Sequence, residues 1–489
     1  MEGILLGVDF LETLVLLIIF VNTIGAIITV FRRPRSIASV LSWLIALIFL
    51  PVVGFILYIF CGRGIDGETL YRFKSEEQKR IKEINQQIHE NNKNYHRTVK
   101  TSGSELLERY LKNVEESPLS KGNSLNFYFD GNEKFDHLFA DINQAKDHVH
   151  VEYYAFFNDK IGNRFLKVLI EKAKEGVEVC VIYDPWGGKG SNAKFFQPLV
   201  EVGGRVTPFI TAKDLIRKTR INYHLHRKVV VIDGQIGWTG GFNVGDQYLE
   251  TTKEFGYWRD THGRIEGSAV FTLQEIFLKD WNASVTDARN ELAYEERYFV
   301  LPTEAPGNVS MQIVSDGPES EEEILKSGFV KMILAAEEKL WIQSPYLIPD
   351  DTMLNALLIA ARSGVDVRIM IPSIPDHAFI YRATQYYANY LHKMGVKIYH
   401  YDKGFIHAKT VIMDDLITSF GSTNQDIRSY ALNFEVSAFV YDEAVALQMQ
   451  EKFRADMLDC FELTDEIINN QSRWLLFKQN FSRLLSPIL

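Results

Sequence analysis

The chain has 489 residues, too many for one compact core, so two or three domains are expected. Its net charge of −10 and a pI near 5.7 argue against a nucleic-acid binder, which needs a basic surface to neutralise phosphates. Three cysteines, Cys61, Cys180 and Cys460, are scattered and make neither a disulfide framework nor a zinc pattern.

The first elements are two uncharged, mostly apolar runs, 13–31 and 36–62, separated by Arg32-Arg33-Pro34-Arg35. A hydrocarbon core of about 30 Å needs about 20 helical residues, so residues 1–62 predict an N-terminal transmembrane helical hairpin. A cleaved signal peptide fits poorly, because the first twelve residues carry Glu2, Asp9 and Glu12 and no Lys or Arg. Basic residues nearly balance across the second run, so the positive-inside rule leaves open the side on which the rest of the chain lies. Residues 63–123 are charged and polar, which predicts a helical stalk or linker lifting the rest from a bilayer.

Two similar halves follow, 124–300 and 301–489. Ala173-Lys174-Glu175-Gly176-Val177-Glu178-Val179 in the first matches Ala361-Arg362-Ser363-Gly364-Val365-Asp366-Val367 in the second: a helix ends at a Gly and feeds a buried strand. A strand precedes each (148–156 and 340–347), and a Gly-led strand follows each, from Gly204 and Gly395. This alternation predicts an α/β fold with a mainly parallel sheet covered by helices. At the end, 473–485 has aromatic and aliphatic residues at helical spacing with basic residues between. It suits a membrane interface or packing on the domain about equally well.

Each half carries H-x-K-x-x-x-x-D: His226, Lys228 and Asp233, then His407, Lys409 and Asp414. Each His is followed by an Asn at the same distance, Asn243 and Asn424. In a strand, alternation puts His and Lys on one face and the Asp on the other. An imidazole beside an ammonium suits a phosphodiester: the lysine donates to non-bridging oxygens, and the histidine supplies a nucleophile or a proton. Asp233 and Asp414, of opposite parity, are better placed to fix strand ends. A metal reading of His224 with His226 is disfavoured by the adjacent Lys228 and the lack of Cys or carboxylate at ligand spacing. To hold each imidazole in one tautomer a carboxylate is needed, and the better placed ones are Asp260, in Trp258-Arg259-Asp260, and Glu435, in Asn433-Phe434-Glu435. With one His and one Lys per half, the active site is expected between the halves, and neither half should be active alone.

These paired motifs resemble the phospholipase D superfamily, whose members carry two HKD motifs, and within it the bacterial cardiolipin synthases with an N-terminal membrane anchor. The resemblance covers essentially the whole chain. It implies two phospholipase D-like α/β halves sharing one site, and an enzyme of the bacterial plasma membrane that is a multi-pass membrane protein. It further implies that a phosphatidyl group passes between two phosphatidylglycerol molecules through a phosphohistidine, giving cardiolipin and glycerol, with no cofactor or metal and no nucleic-acid partner. By the same analogy His226 attacks, His407 is the acid and base, and Lys228, Lys409, Asn243 and Asn424 hold the phosphate oxygens; the reverse assignment of the histidines stays open, as does the oligomeric state. The rivals are a membrane-bound phospholipase D or phosphatidyltransferase using water or another alcohol, a tethered phosphodiesterase acting on nucleic acid, and a non-catalytic lipid-binding protein.

Overall fold

A computed structural model describes residues 37–50, 74–95, 101–115, 117–188, 190–209, 223–249, 252–320 and 322–484, with scattered positions between 13 and 71. Contacts divide the chain into two units, residues 1–70 with 211–223 and residues 71–210 with 224–489. In the first unit α1 (Ile37–Phe49) buries Leu47 with Tyr58 and exposes Leu41, Ile45, Ile48 and Phe49. Parts of both runs expected to span a membrane lie outside the described residues. Among the described residues, no helix is long and apolar enough to cross a membrane.

The second unit is built on a mixed sheet of sixteen strands. Its first half supplies β1 (Ser120–Tyr128), β2 (His148–Tyr153), β3 (Glu178–Tyr183), β4 (Arg205–Pro208), β5 (His224–Leu225), β6 (Lys228–Ile232), β7 (Ile236–Gly240), β8 (Tyr257–Arg259) and β9 (His262–Glu266). The second half supplies β10 (Val309–Asp316), β11 (Lys339–Gln343), β12 (Leu347–Ile348), β13 (Asp366–Pro372), β14 (Lys397–Tyr401), β15 (Gly404–Ile406), β16 (Thr410–Met413), β17 (Ile417–Gly421), β18 (Gln425–Asp426), β19 (Asn433–Tyr441) and β20 (Cys460–Glu462). Across the sheet the order is β4-β3-β2-β6-β7-β9-β1 and then β10-β19-β17-β16-β11-β13-β14-β20. The order outward from the antiparallel β1·β10 seam is therefore the same in both directions, which is the spatial form of the sequence repeat.

The expectation of a mainly parallel sheet is corrected. Along the main path of the sheet the parallel runs are β2-β3-β4 and β11-β13-β14, where a helix crosses between strands; the two-residue β5 adds a short parallel pairing to β19. The motif strands β6 and β16 turn back at once into β7 and β17, and so short a connection permits only an antiparallel hairpin. Helices α4 (Gly131–Gln144), α5 (Lys160–Lys174) and α6 (Ala193–Glu201) cover one face of the first half and bury Phe135, Phe139, Phe165 and Phe196 against Val149, Val151, Val179 and Val181. Asp130, Asp159 and Asn192 cap their N-termini, worth about 1 kcal/mol each. Under the seam, α7 (Ala269–Ser284) closes a core of Val229, Val231, Leu273, Ile313, Val436 and Ala438, drawn from both halves.

The expected stalk is corrected as well. Residues 74–115 do form helices, α2 (Ser75–Asn92) and α3 (Ser102–Glu115), but they are built into the body. Leu107 and Leu111 of α3 lie in the second half's core with Phe329, Met332 and Ile333 of α8 (Ile324–Ala335). Gln312 donates to the Glu108 and Ser117 carbonyls at 3.3 and 2.8 Å. The few apolar residues of a polar stretch, spaced at 107 and 111, suffice to bury one stripe of the helix.

Candidate active site

Two very short strands assemble the site by crossing between the halves. β5 lies parallel to the start of β19, with His224 opposite Asn433 and Leu225 opposite Phe434. The next N–H, of His226, donates to the Phe434 carbonyl at 2.9 Å. That register brings Glu435 to the imidazole, whose Nδ1 lies 2.8 and 2.9 Å from the two carboxylate oxygens. The second half repeats the device. β15 lies parallel to β8, Ile406 opposite Arg259, and the His407 N–H donates to the Arg259 carbonyl at 2.7 Å. Asp260 then meets His407, Oδ2 to Nδ1 at 2.6 Å.

An ionised carboxylate only accepts, so each Nδ1 carries the proton and each Nε2 is left with its lone pair free. Both imidazoles are about nine-tenths buried. Burial, together with Lys228 and Lys409, lowers the pKa of His226 to about 4 against the pull of Glu435. His407 is likewise lowered to about 4 by burial and by Lys409 and Lys228, against Asp260. Burial pushes Glu435 and Asp260 up, but the paired histidines together with Lys228, Lys409 and the Ser422 and Thr261 donors hold both carboxyls below their ordinary range.

The lysines converge on the same space. Lys228 Nζ donates to the His226 carbonyl and Lys409 Nζ to the His407 carbonyl, each at 2.5 Å. Burial brings Lys228 to about 7, with Lys409 contributing, and Lys409 to about 8. Among the described residues neither lysine is hydrogen-bonded to a carboxylate, so both amines are available to donate to the oxygens of a phosphodiester. Rings wall the histidines: Tyr154 lies 5.2 Å from His226 and Trp258 5.2 Å from His407, centroid to centroid.

Asp233 and Asp414 stand apart from this cluster. The Asp233 carboxylate accepts the N–H groups of Lys146, Asp147 and His148 at 2.8, 2.9 and 3.0 Å, and Asp414 those of Glu337, Glu338 and Lys339 at 3.2, 2.9 and 2.9 Å. Each thus ties the start of β2 or β11 to the motif hairpin from a left-handed turn position, φ 52° and 50°, that Asp tolerates better than most residues. Neither carboxylate faces the histidines, in keeping with the opposite parity of these positions in the motifs. Asn243 is buried, accepts the Ala155 N–H at 3.2 Å and donates to the Tyr248 hydroxyl at 3.4 Å. Asn424 is buried with its side-chain oxygen free of any hydrogen bond.

Sequence reasoning missed the supports behind the carboxylates. Arg227 holds the Glu435 carbonyl through Nε at 3.1 Å and pairs with Asp280 of α7. Arg259 binds the Asp260 carbonyl and pairs with Asp456 of α12 (Glu443–Met457). Ser422 donates to Glu435. An arginine adjoining a motif His or its carboxylate was the available signal, since a fully buried guanidinium needs a partner. Among the described residues, the donors close enough to share a metal ion are His150, Glu178 and Cys180, on β2 and β3. Glu178 is already bound by Arg205 at 2.7 Å, Arg297 at 3.2 Å and the Tyr298 hydroxyl at 2.5 Å, a cationic setting that opposes a metal.

Comparison with known proteins gives a consistent picture. A family model described as cardiolipin synthase, PLD-like domain, matches residues 138–281 and 329–457, and one described as phospholipase D-nuclease N-terminal matches 21–63. A cardiolipin synthase of Listeria welshimeri is 44% identical over 484 residues, covering 98% of this chain and 99% of that protein. One from Staphylococcus aureus strain Mu50 is 43% identical over 495 residues, covering 100% of this chain and 98% of that protein. The fold is that of the phosphatidylserine synthase of Haemophilus influenzae, with a TM-score of 0.60 at 17% identity over 78% of this chain and 100% of that one.

Proposed function

The chain belongs to the family of the cardiolipin synthase PLD-like domain, and on that premise we propose that it moves a phosphatidyl group from one phosphatidylglycerol to another, giving cardiolipin and glycerol. The observation that carries the mechanism is the crossed pair of imidazole–carboxylate contacts facing two buried lysines. His226 Nε2 attacks phosphorus, the bond to the glycerol oxygen breaks, and the leaving oxygen takes a proton from His407 Nε2. In the second step His407 removes the proton from the acceptor's hydroxyl, whose oxygen attacks phosphorus and releases His226. Lys228, Lys409, Asn243 and Asn424 hold the non-bridging oxygens. Burial, Lys409 and Lys228 depress His407; a phosphodiester's negative charge offsets the lysines, so the proton His407 delivers is taken up with the substrate.

Because bonds of one type are exchanged for another of the same type, neither nucleotide nor metal is called for. Residues 13–31 and 36–62 are read as a membrane hairpin that keeps the site at its lipid substrate, in a bacterial plasma membrane. The test is the purified full chain in phosphatidylglycerol vesicles with a chelator and no nucleotide, with lipids and glycerol measured together. Cardiolipin and glycerol in equal amounts is the expected result. Phosphatidic acid in place of cardiolipin would make water the acceptor and the protein a hydrolase.

A further inference from the structure

The last described helix of the second unit, α14 (Arg473–Leu484), is packed with its polarity inverted. It lies against α10 (Ala378–Lys393) through polar contacts. Asn389 of α10 donates to Gln479 at 3.1 Å and to Gln471 at 3.0 Å, Gln479 donates to Gln471 at 3.1 Å, and Arg483 covers the Tyr386 ring at 4.8 Å. Gln479 and Ser482 are 1% and 2% exposed, whereas Trp474, Phe477, Phe481 and Leu484 are 65%, 57%, 47% and 73% exposed. Spacings of three, four and three residues put these four on one stripe. Trp474 and Phe477 stack at 5.4 Å and Phe477 and Phe481 at 6.3 Å, so the stripe is an ordered aromatic row facing outward.

Burying the polar face and exposing the aromatic one reverses what a helix does in water, so the outward face is unfinished without a partner. Charge identifies the partner. The helix carries Arg473, Lys478 and Arg483 and no acidic residue, in a chain of net charge −10. Basic residues beside a Trp/Phe/Leu stripe match an anionic bilayer surface, where rings enter the headgroup boundary and cations meet phosphates. α10 also links the stripe to the site: Asp376, two residues before it, bonds Tyr346 and faces Lys409, about 20 Å along the helix direction from Asn389.

We propose that the Trp474–Phe477–Phe481–Leu484 face of α14 is an interfacial anchor that lies in an anionic phospholipid surface and seats the active-site mouth on the bilayer. This rests on the lipid-substrate reading above, so two readouts separate the claims. In phosphatidylglycerol vesicles, lipids brominated near the headgroup end quench the full-length protein's tryptophan emission, and the quenched fraction falls in Trp474→Phe. In the second, Phe477→Glu lowers the rate on phosphatidylglycerol vesicles about tenfold and leaves the rate on detergent-dispersed phosphatidylglycerol unchanged. Equal bromolipid quenching in Trp474→Phe, or Phe477→Glu slowing both reactions alike or neither, would overturn the anchor. So would a Trp474 shielded from both bromolipid and aqueous iodide, which would mean that a protein surface, such as a second copy, covers the stripe. If the unsubstituted protein makes no cardiolipin in either form, the synthase reading fails while the quenching result still decides the anchor.

Discussion

The two half-sites perform one task with different residues. Glu435 meets His226 through both oxygens and is further held by Ser422, which lies fifteen residues after the second half's own motif histidine, His407. Asp260 meets His407 through one oxygen and gives the other to the Thr261 N–H at 2.8 Å. The position equivalent to Ser422 in the first half is Gly241, where an added Cβ would fall 2.0 Å from Asp260 Oδ1. A glycine makes room for the shorter carboxylate, and a serine braces the longer one. The supports diverge in the same way: the arginine that holds the carboxylate's backbone follows the His in one half-site (Arg227) and precedes the carboxylate in the other (Arg259). Duplication therefore preserves the hydrogen-bond geometry at the imidazole more strictly than the side chains that produce it.

Replacing the imidazoles should erase the comparison. His226→Ala and His407→Ala should each cost about 10⁴-fold or more in cardiolipin formation, because groups acting as a unit fail together. A quenched-flow assay with labelled phosphatidylglycerol measures this and, by showing which His carries phosphorus, decides between the two assignments. Next in size, Glu435→Gln and Asp260→Asn keep shape but lose the acceptor that fixes Nδ1–H; each should lower kcat by about 10²- to 10³-fold with little change in KM. A KM effect of similar size in either would mean that the carboxylate meets substrate rather than histidine.

Gly241→Ser sharpens the difference. It copies the second half's residue into the first but drives a side chain into Asp260, so a loss of about tenfold is expected. Restoring the pairing with Gly241→Ser plus Asp260→Glu should recover part of it, which steady-state rates of the single and double variants would show. The smallest effect concerns Glu152 on β2, where the second half has Gln343 donating to Asp456 at 2.9 Å. Burial and the neighbouring Asp280 raise the Glu152 pKa well above its ordinary value against Arg227 and Lys228, so it stays protonated, neutral like the glutamine at the matching position. An acid raised by folding contributes stability below its unfolded pKa of about 4.3 that is lost as pH climbs toward the folded value. Glu152→Gln should thus change urea stability by less than about 1 kcal/mol near pH 5 and be the more stable form as pH rises.

Particular residues show what was legible in the chain. H-x-K-x-x-x-x-D could be read because its spacing encodes backbone geometry: alternation aims His and Lys together, and Asp233 and Asp414 reach three N–H groups from a fixed turn position. The α/β alternation around Gly176 and Gly364 was legible because a helix must end before a buried strand begins. The crossing was not. β5 has two residues and β15 three, too few for any periodicity, and only their pairing with β19 and β8 decides which carboxylate serves which imidazole. The inverted packing of α14 was equally hidden, because the hydrophobic stripe in 473–484 looks the same whether it faces a domain or a bilayer.

The crossed pairing is the claim on which the mechanism stands, and ¹⁵N-histidine NMR of the full-length protein in detergent tests it most directly, with His226→Gln and His407→Gln assigning the signals. The account predicts two strongly deshielded Nδ1–H protons, with Glu435→Gln removing the one of His226 alone and Asp260→Asn the one of His407 alone. Loss of the His407 signal in Glu435→Gln with His226 untouched, or Nε2-protonated rings in the unsubstituted protein, would contradict it.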